Sequence, residues 1–406
     1  MRPKRPLSTG SLFYAALLCL GVASFSADSA AQEPLEIPVV YITKLEKERL
    51  PLSLVEPIVT GKGLQGARAA QKDNATTGQF LKHNYELIEV LVPKDGDLSA
   101  SVAEQLAMGH RLFVADLHGD QLLALADQPE AADALIFNVR APDDNLRNDD
   151  CRANVLHVMP SRAMKADAIA QYLGWKKWNE WFLVHGTGEG DIAFADALRR
   201  AANKFGLKIV EERAFEDDAP SARTDTGHAE IQKQMPVFTQ GAEDHDVLVV
   251  ADESDIFGEY LPYRTWEPRP VVGTQGLIPT AWHRSHEQWG GTQMQRRFGK
   301  VAARDMTERD YTAWVAVRSI GEAVTRTLSA DPQTIRDYLL GGEFKVAAFK
   351  GEGLTFRTWN GQLRQPILIA APRALVSVSP QQGFLHQRSQ LDTLGYDEPE
   401  SSCKLQ

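Results

Sequence analysis

Long apolar runs and an excess of positive charge are both missing from this 406-residue sequence. Its most apolar stretch, Leu12–Val22, is too short to cross a bilayer as a helix. Lys and Arg number 44 against 54 Asp and Glu, so the chain carries a net charge of −10 at neutral pH. An acidic surface argues against nucleic acid and anionic lipid as partners. The composition predicts a globular chain that is not embedded in a membrane and is long enough for two domains.

Catalytic motifs are also absent. The sequence has no G-x-S-x-G elbow and no H-E-x-x-H pair. The Gly-rich run 186–190 lacks the full G-x-G-x-x-G pattern of a dinucleotide loop. We therefore expect no enzyme activity, no cofactor and no metal centre.

The first 31 residues have the three parts of a secretory signal peptide. These parts are the basic residues Arg2, Lys4 and Arg5, the apolar run Leu12–Val22, and the small residues Ser29-Ala30-Ala31 before Gln32. A lipid anchor on Cys19 is the alternative, but Leu17 and Leu18 are too bulky for the usual cleavage signal. Removal of residues 1–31 would shift the net charge to −12, because three basic groups and one acidic group leave with them.

Only Cys151 and Cys403 lie beyond this leader. An even pair of cysteines in an exported protein predicts one disulfide. Two unpaired thiols are the alternative. The bridge would tie the end of the chain to its central segment.

Strand and helix patterns alternate through most of the chain, which is typical of parallel sheets covered by helices. The first series consists of Ile37–Ile42, Gly61–Thr77, Tyr85–Val92, Ser99–Met108, Arg111–Asp116, Leu122–Ala126 and Ala134–Val139. The second series consists of Val155–Val158, Ala163–Leu173, Trp181–Val184, Asp191–Lys204, Leu207–Arg213, His228–Phe238, Asp246–Val250 and Val271–Val272. A polar, turn-rich loop at Ala141–Arg152 separates the two series.

The remainder of the chain changes character. Met294–Leu328 and Pro332–Leu340 have helical periodicity, and Phe344–Ala371 contains short strands with a hairpin turn at Asn360-Gly361. From Pro380 we expect an extended tail.

Five segments, in this order, resemble the type I periplasmic solute-binding proteins of ABC transporters, the leucine/isoleucine/valine-binding class. They are G-A-R-A-A-Q-K-D-N at Gly66–Asn74, A-D-A-I-A-Q-Y-L-G-W-K-K-W at Ala166–Trp178, G-E-G-D-I-A-F-A-D-A-L at Gly188–Leu198, Y-T-A-W-V-A-V-R-S-I-G-E-A-V at Tyr311–Val324 and G-L-T-F-R-T-W-N-G-Q-L at Gly353–Leu363. The tail L-D-T-L-G-Y-D-E-P-E-S at Leu391–Ser401 is similar to the branch associated with PQQ-dependent alcohol dehydrogenase systems.

The resemblance implies an α/β fold of two Rossmann-like parallel-sheet lobes in a monomer. Three hinge crossings would join the lobes, near Val158–Ser161, Trp282–Gln288 and Gly341–Glu343. After the leader at 1–31, lobe 1 would span 32–158 and lobe 2 would span 159–285. The chain would return to lobe 1 over 286–341 and to lobe 2, with the tail, over 342–406. A small-molecule ligand would bind between the lobes.

Ligands of open α/β sheets bind beyond the carboxyl ends of the strands. The residues predicted there to bind ligand are His118, Gly119, Asp120, Gln121, His185, Thr187, Glu189, Asp252, Glu253 and Gln275. Thr43, Lys44, Asp116 and Asp255 lie at strand ends of the same kind. The alternatives are that the Asp residues only cap the following helices, or that the set binds a cation.

The amino acid clamp of the resembling family is largely missing. Relatives hold the carboxylate with a Ser/Thr-rich turn, which matches 117–121 here and contains Asp120. Their aromatic residue matches Thr187–Glu189, and their ammonium-binding acid matches Gln275. We therefore expect a ligand other than a branched-chain amino acid.

The resemblance implies a periplasmic protein that delivers this ligand to an ABC transporter permease, in connection with PQQ-dependent alcohol oxidation. The alternative is a periplasmic sensor or accessory protein with the same fold and no transport role. The sequence does not separate the two.

Overall fold

The computed structural model describes residues 33–47, 58–216 and 225–405. The predicted leader at 1–31 lies outside these residues. The described chain up to residue 273 contains β1 (Leu35–Lys44), α1 (Leu64–Leu81), β2 (His83–Val92), α2 (Leu98–Ala107), β3 (Leu112–Asp116), α3 (Gly119–Ala126), β4 (Leu135–Asn138), β5 (Val155–His157), α4 (Arg162–Lys176), β6 (Glu180–His185), α5 (Glu189–Phe205), β7 (Lys208–Ala214), α6 (Asp225–Thr239), β8 (Val247–Ala251) and β9 (Val271–Gly273).

The remainder contains β10 (Ile278–Thr280), α7 (Gly291–Ala302), α8 (Glu308–Thr327), α9 (Pro332–Leu340), β11 (Val346–Ala347), β12 (Gly353–Phe356), β13 (Leu363–Arg364), β14 (Ile367–Ala371) and β15 (Ala374–Ser379). Beyond β15 the chain contains two short 3-10 turns, Gln390–Thr393 and Glu398–Glu400.

A five-stranded parallel sheet in the order β2-β1-β3-β4-β5 forms the centre of lobe 1. Strand β3 is buried at every residue, because helices cover both faces of the sheet. Helices α1, α7, α8 and α9 pack on one face, and α2 and α3 pack on the other. The four strands of the first predicted series thus form a parallel sheet, as the sequence predicts. The fifth strand, β5, comes from the start of the second series, because it pairs with β4 beyond the loop at Ala141–Arg152.

A second parallel sheet, in the order β7-β6-β8-β9, forms the centre of lobe 2. Helices α4 and α5 cover one of its faces, and apolar residues of α6 and of the turn around Tyr260 cover the other. Each sheet brings the carboxyl ends of its strands to one edge, and polar loops follow the strands there.

The positions at which the chain crosses between the lobes follow from which core each segment packs in. It leaves lobe 1 after β5 and enters lobe 2 with α4, and it returns at Ala281 and Trp282, which are buried in the lobe 1 core. The segment Phe344–Leu363 packs in the lobe 1 core, whereas Ile367 belongs to the core of lobe 2. The third passage therefore lies at 364–366, later than the sequence suggests at Gly341–Glu343. The predicted lobe boundaries as a whole stay a prediction.

Helices α1 and α8 approach each other closely in lobe 1. A Cβ atom added to Gly66 would lie 1.8 Å from the carbonyl oxygen of Asp310. The Asp310 carboxylate in turn accepts the N–H of Gly63 at 2.9 Å. Glycine at residue 66 therefore permits the contact between the two backbones.

The predicted disulfide between Cys151 and Cys403 is present, and it joins residues 252 positions apart in sequence. The tail before Cys403 is packed rather than simply extended. Leu391 and Leu394 are buried, and Asp392 receives hydrogen bonds from Arg357 and Arg364. Within the described ranges, no helix is long and apolar enough to cross a membrane.

Candidate functional site

A cavity of about 750 Å³ lies between the two lobes, at the carboxyl ends of both parallel sheets. Lobe 1 supplies most of its wall: Tyr41, Thr43, Lys44, Leu45, Glu46, Lys47, Ile58, Val59, Thr60, Gly61, Lys62, Leu64, Leu91, His118, Arg140 and Arg309. Lobe 2 supplies Glu253, Asp255 and Glu259. The two walls differ in charge, because lobe 1 contributes five basic residues and lobe 2 contributes only acids.

Three charged or titratable side chains of the lobe 1 wall converge on one point. Glu46 Oε1 lies 2.7 Å from His118 Nε2, and Glu46 Oε2 accepts a hydrogen bond from Arg140 Nη2 at 2.5 Å. Arg140 Nη2 is also 2.6 Å from His118 Nε2. Burial opposes ionisation of Glu46, but the hydrogen bond and the charge of Arg140 outweigh it and lower the pKa of Glu46. Glu46 is thus a carboxylate at neutral pH.

The buried carboxylate of Asp116 holds two other side chains of the lobe 1 wall in place. Asp116 is fully buried and accepts two hydrogen bonds from Arg309, from Nε at 3.0 Å and from Nη2 at 2.5 Å. The hydroxyl of Tyr41 donates to the same carboxylate at 2.5 Å. Burial, and then the charge of Asp116, raise the pKa of Tyr41 well above its ordinary value, so the phenol stays protonated. Asp116 therefore fixes two side chains that face the cavity.

The lobe 2 wall is fixed by a residue that follows the first crossing. Arg162 donates to Glu253 Oε2 from Nη2 at 2.7 Å and to Asp143 Oδ1 from Nη1 at 2.7 Å. Asp143 follows β4 in lobe 1, whereas Glu253 follows β8 in lobe 2. Burial would raise the pKa of Asp143, but the charge of Arg162 holds it below its ordinary value. One guanidinium thus joins loops of both lobes at the edge of the cavity.

Two of the ten ligand-binding residues predicted from sequence, His118 and Glu253, line the cavity. So do Thr43, Lys44 and Asp255, which the same reasoning places at strand ends. The other eight predicted residues are not among the described residues of its wall.

The four predicted residues of the turn before α3, residues 118–121, differ in whether they reach the cavity. Gln121 Oε1 accepts the N–H of His118 at 3.3 Å as part of a capping box, and Asp120 is exposed in the first turn of the helix. A Cβ atom on Gly119 would lie 2.9 Å from Asp143 Oδ2, so the turn packs closely against that loop. Of this turn, only His118 reaches the cavity wall.

The predicted residues of lobe 2 have local partners or are exposed. His185 contacts the carbonyl oxygen of Gly186 and the carboxylate of Glu212. Gln275 Nε2 donates to Asp255 Oδ1 at 3.3 Å. Thr187 and Glu189 are exposed where α5 begins.

Asp252 is buried and holds the following loop together. Its carboxylate accepts the N–H groups of Ile256, Phe257 and Gly258, the last at 2.6 Å. Burial raises the pKa of Asp252, and these hydrogen bonds oppose that rise. The Asp252 carboxylate therefore accepts hydrogen bonds from its own loop, and the N-cap residue of the short 3-10 turn that follows is Phe257.

Five charged residues of the lobe 1 wall are missed by reasoning from the sequence: Glu46, Lys47, Lys62, Arg140 and Arg309. Glu46 and Arg140 come two residues after β1 and β4, so the rule that selects strand ends could have found them. Arg309 offers no such signal, because it lies in the first turn of a helix that returns to lobe 1 from far along the chain.

The arrangement suits non-covalent binding of a polar molecule, with opposite charges on opposite walls. Among the described residues, no group of three or more His, Cys, Asp or Glu side chains could hold a metal ion.

Comparison of the sequence with protein-family models and with curated proteins finds no match. Comparison with solved structures finds many. A branched chain amino acid ABC transporter periplasmic ligand-binding protein from Burkholderia xenovorans superposes with a TM-score of 0.69 at 13% identity, over 91% of this chain and 99% of that one. A leucine-, isoleucine-, valine-, threonine- and alanine-binding protein from Brucella ovis gives 0.62 at 13% identity, over 88% and 93%.

A third structure is the branched-chain amino acid transporter substrate binding protein of Streptococcus pneumoniae in complex with isoleucine. It gives a TM-score of 0.59 at 12% identity, over 86% of this chain and 99% of that one. Similarity at such low identity establishes the fold. The chain has the two-lobed α/β fold of type I periplasmic binding proteins, as its sequence predicts.

Proposed function

We propose that this protein is a periplasmic solute-binding protein that captures a small molecule in the interlobe cavity and delivers it to an ABC transporter permease. The cavity of about 750 Å³, with walls from both lobes, is the observation that supports this most. Its volume is in the range of small-molecule sites, and it lies where open α/β sheets bind ligands. The similar solved structures are binding proteins of such transporters.

We propose that the ligand is a small polar molecule other than a branched-chain amino acid. The amino acid clamp is largely missing from the sequence, since Asp120, Thr187–Glu189 and Gln275 stand at its positions. The three residues that lobe 2 contributes to the wall are all acidic, so only lobe 1 offers apolar side chains to a ligand. The basic wall of lobe 1 suits a carboxylate or another acceptor group. A molecule with an acceptor at one end and a donor at the other complements both walls.

The proposed link to PQQ-dependent alcohol oxidation rests on the tail Leu391–Ser401, which resembles that branch of the family. Under this proposal the ligand is an alcohol, an aldehyde or a carboxylate on the route of alcohol oxidation. The basic wall of lobe 1 favours the carboxylate among these.

A thermal-shift screen of purified protein tests the ligand proposal. The panel contains alcohols, aldehydes, carboxylates, amino acids and metal ions. A true ligand at about one hundred times its Kd stabilises the folded protein by about 2.7 kcal/mol, which is readily measured as a higher Tm. A shift with branched-chain amino acids alone would contradict the proposed ligand class.

Two histidines at opposite ends of β3 provide a matched pair that locates the binding site. His118 lines the cavity, whereas His110 precedes the strand and contacts Gln105. For a molecule that raises the Tm of the wild type, His118→Ala should weaken binding and His110→Ala should leave Kd unchanged. Equal affinities in both variants would place the ligand outside this cavity.

Uptake separates transport from sensing. Cells that lack the protein should lose uptake of the labelled ligand and regain it on complementation. Unchanged uptake, with ligand binding intact, would favour the alternative of a sensor or accessory protein.

A further inference from the structure

We infer that the tail, residues 391–403, is a fourth connection between the lobes, closed by the disulfide, and that it limits how far the cleft opens. The inference rests on the proposed function in one respect, that the cleft must open to admit a ligand. Its physical basis is the pair of anchors that hold the two ends of the tail on different lobes.

The first anchor lies on lobe 2. Asp167 of α4 is fully buried and accepts the N–H of Gly395 at 2.8 Å. Lys204 of α5 donates to the carbonyl oxygen of Gly395 at 2.9 Å, and Arg200 covers the ring of Tyr396 at 4.2 Å. Leu394 is buried in the apolar core beneath α4 and α5. These contacts attach residues 394–396 to lobe 2. Arg357, in the segment that packs in lobe 1, also donates to the carbonyl oxygens of Leu394 at 2.7 Å and Tyr396 at 3.2 Å, so this part of the tail already bridges the lobes.

The second anchor lies on lobe 1. Cys403 is bonded to Cys151, in the loop between β4 and β5 of the lobe 1 sheet. The hydroxyl of Ser402 donates to Asp149 Oδ1 at 2.6 Å, and the hydroxyl of Ser401 donates to the carbonyl oxygen of Arg147 at 3.1 Å. This end of the tail must move with lobe 1.

The chain between the two anchors is short and has little length to spare. Residues 397–402 alone join Tyr396 to Cys403, and part of this length is taken up by the 3-10 turn Glu398–Glu400. The carboxylate of Glu400 also lies 3.3 Å from Arg200 and 3.8 Å from Lys204. A wide opening of the lobes would have to pull the tail off one lobe, because the disulfide does not dissociate. Arg357, in the segment that packs in lobe 1, forms a buried ion pair with Asp392 of the tail, and breaking this pair would add to the cost of that separation.

The tail differs from the three backbone crossings in one respect. A crossing can serve as a hinge by changing a few backbone dihedrals, whereas a tail that is fixed at both ends restrains rotation about that hinge. We therefore expect loss of the disulfide to widen the range of lobe orientations and to leave each lobe intact.

Distances between labels on the two lobes test this without any ligand. Ketone-bearing residues at Lys94 and Glu216, exposed beyond the carboxyl ends of β2 and β7, accept spin labels that do not react with thiols. The protein is purified from the periplasm with its disulfide formed, and is compared with a variant that carries both Cys151→Ser and Cys403→Ser. The variant should show a broader distance distribution that is shifted to longer distances. Superimposable distributions would overturn the inference.

A second variant shows whether longer distances come from a longer tail or from a loss of folded structure. It keeps both cysteines and inserts a flexible Gly-Ser segment of about six residues between Ser401 and Ser402. Circular dichroism and cooperative unfolding should match the wild type, and the distances should again lengthen. If faster hydrogen exchange is confined to residues 397–403 and the distances are unchanged, the tail is only a local attachment. Failure of every compound in the ligand screen would leave this result unaffected.

Discussion

Arg162 holds Glu253 by both carboxylate oxygens: Nε donates to Oε1 at 3.0 Å and Nη2 donates to Oε2 at 2.7 Å. Burial would lower the pKa of Arg162, but its hydrogen bonds and the charges of Glu253 and Asp143 raise it above its ordinary value. The side chain is only 9% exposed. A cation in this position supports the acidic wall of the cavity and also ties it to lobe 1.

Arg162→Gln should lower the free energy of unfolding by about 2 kcal/mol, because it leaves two partly buried carboxylates without their cation. Urea unfolding with a linear extrapolation measures this. Arg199→Gln is the matched control. Arg199 is 36% exposed and pairs with Glu212 on the surface, so its loss should cost less than about 1 kcal/mol. Equal losses would show that Arg162 has no special structural role.

Gly66→Ala should destabilise the protein by about 3 kcal/mol, since the added methyl group must push α1 away from the carbonyl oxygen of Asp310. Gly299→Ala, within α7, is the control because a Cβ atom there meets no atom within 4 Å. It should stabilise the helix by about 0.5–1 kcal/mol. The same urea titration measures both, and a stabilising Gly66→Ala would refute the close contact between α1 and α8.

The buried amine of Lys350 should make stability depend on pH. Lys350 is 2% exposed and donates to the carbonyl oxygen of Pro366 at 3.0 Å. Burial lowers its pKa to about 7, and the charge of Glu308 only partly opposes this. In the unfolded chain the pKa is about 10.4, so between these values the unfolded state binds the extra proton. The contribution of Lys350 to stability therefore rises with pH from about 7 to about 10.4.

Lys350→Met should flatten this rise and increase stability most at neutral pH and below. Unfolding curves at several values between about pH 7 and about pH 9.5 give the slope. Lys300→Met, at an exposed position in α7, should run parallel to the wild type. A slope that persists in Lys350→Met would assign the effect to another group.

Asp252→Ala should cost about 2–3 kcal/mol in the absence of any ligand, because it leaves the N–H groups of Ile256, Phe257 and Gly258 without their acceptor. Asp120→Ala, at an exposed site, should cost less than about 1 kcal/mol. Thermal or urea unfolding distinguishes the two. If Asp252→Ala leaves the stability unchanged, Asp252 has no structural role in its loop, and the prediction that it binds ligand is favoured instead.

Local patterns predict the elements of the fold where they are strong. Pro332–Leu340 is a helix with the predicted ends, because Asp331 caps Thr334 and a proline occupies the first helical position. The apolar runs around Phe113 and Leu248 are buried strands as expected.

Long-range assignments are harder to predict. The apolar residues of Phe344–Leu363 could pack on either lobe, since a hairpin pattern does not specify the core that it joins. Arg309 reaches the cavity from a helix almost two hundred residues after its partner Asp116. The strand-end rule identifies where a ligand would bind, but which side chains point inward depends on contacts such as those of Asp252.

The disulfide also imposes an order on the making of the molecule. Cys403 follows Cys151 by 252 residues, so Cys151 remains a thiol while the ribosome adds all of that chain. The lobe 1 core likewise waits for Phe344–Leu363 before its last apolar positions are filled. Lobe 1 therefore begins first and is completed late. The bond to Cys403 forms only when both lobes have all the residues that their cores require.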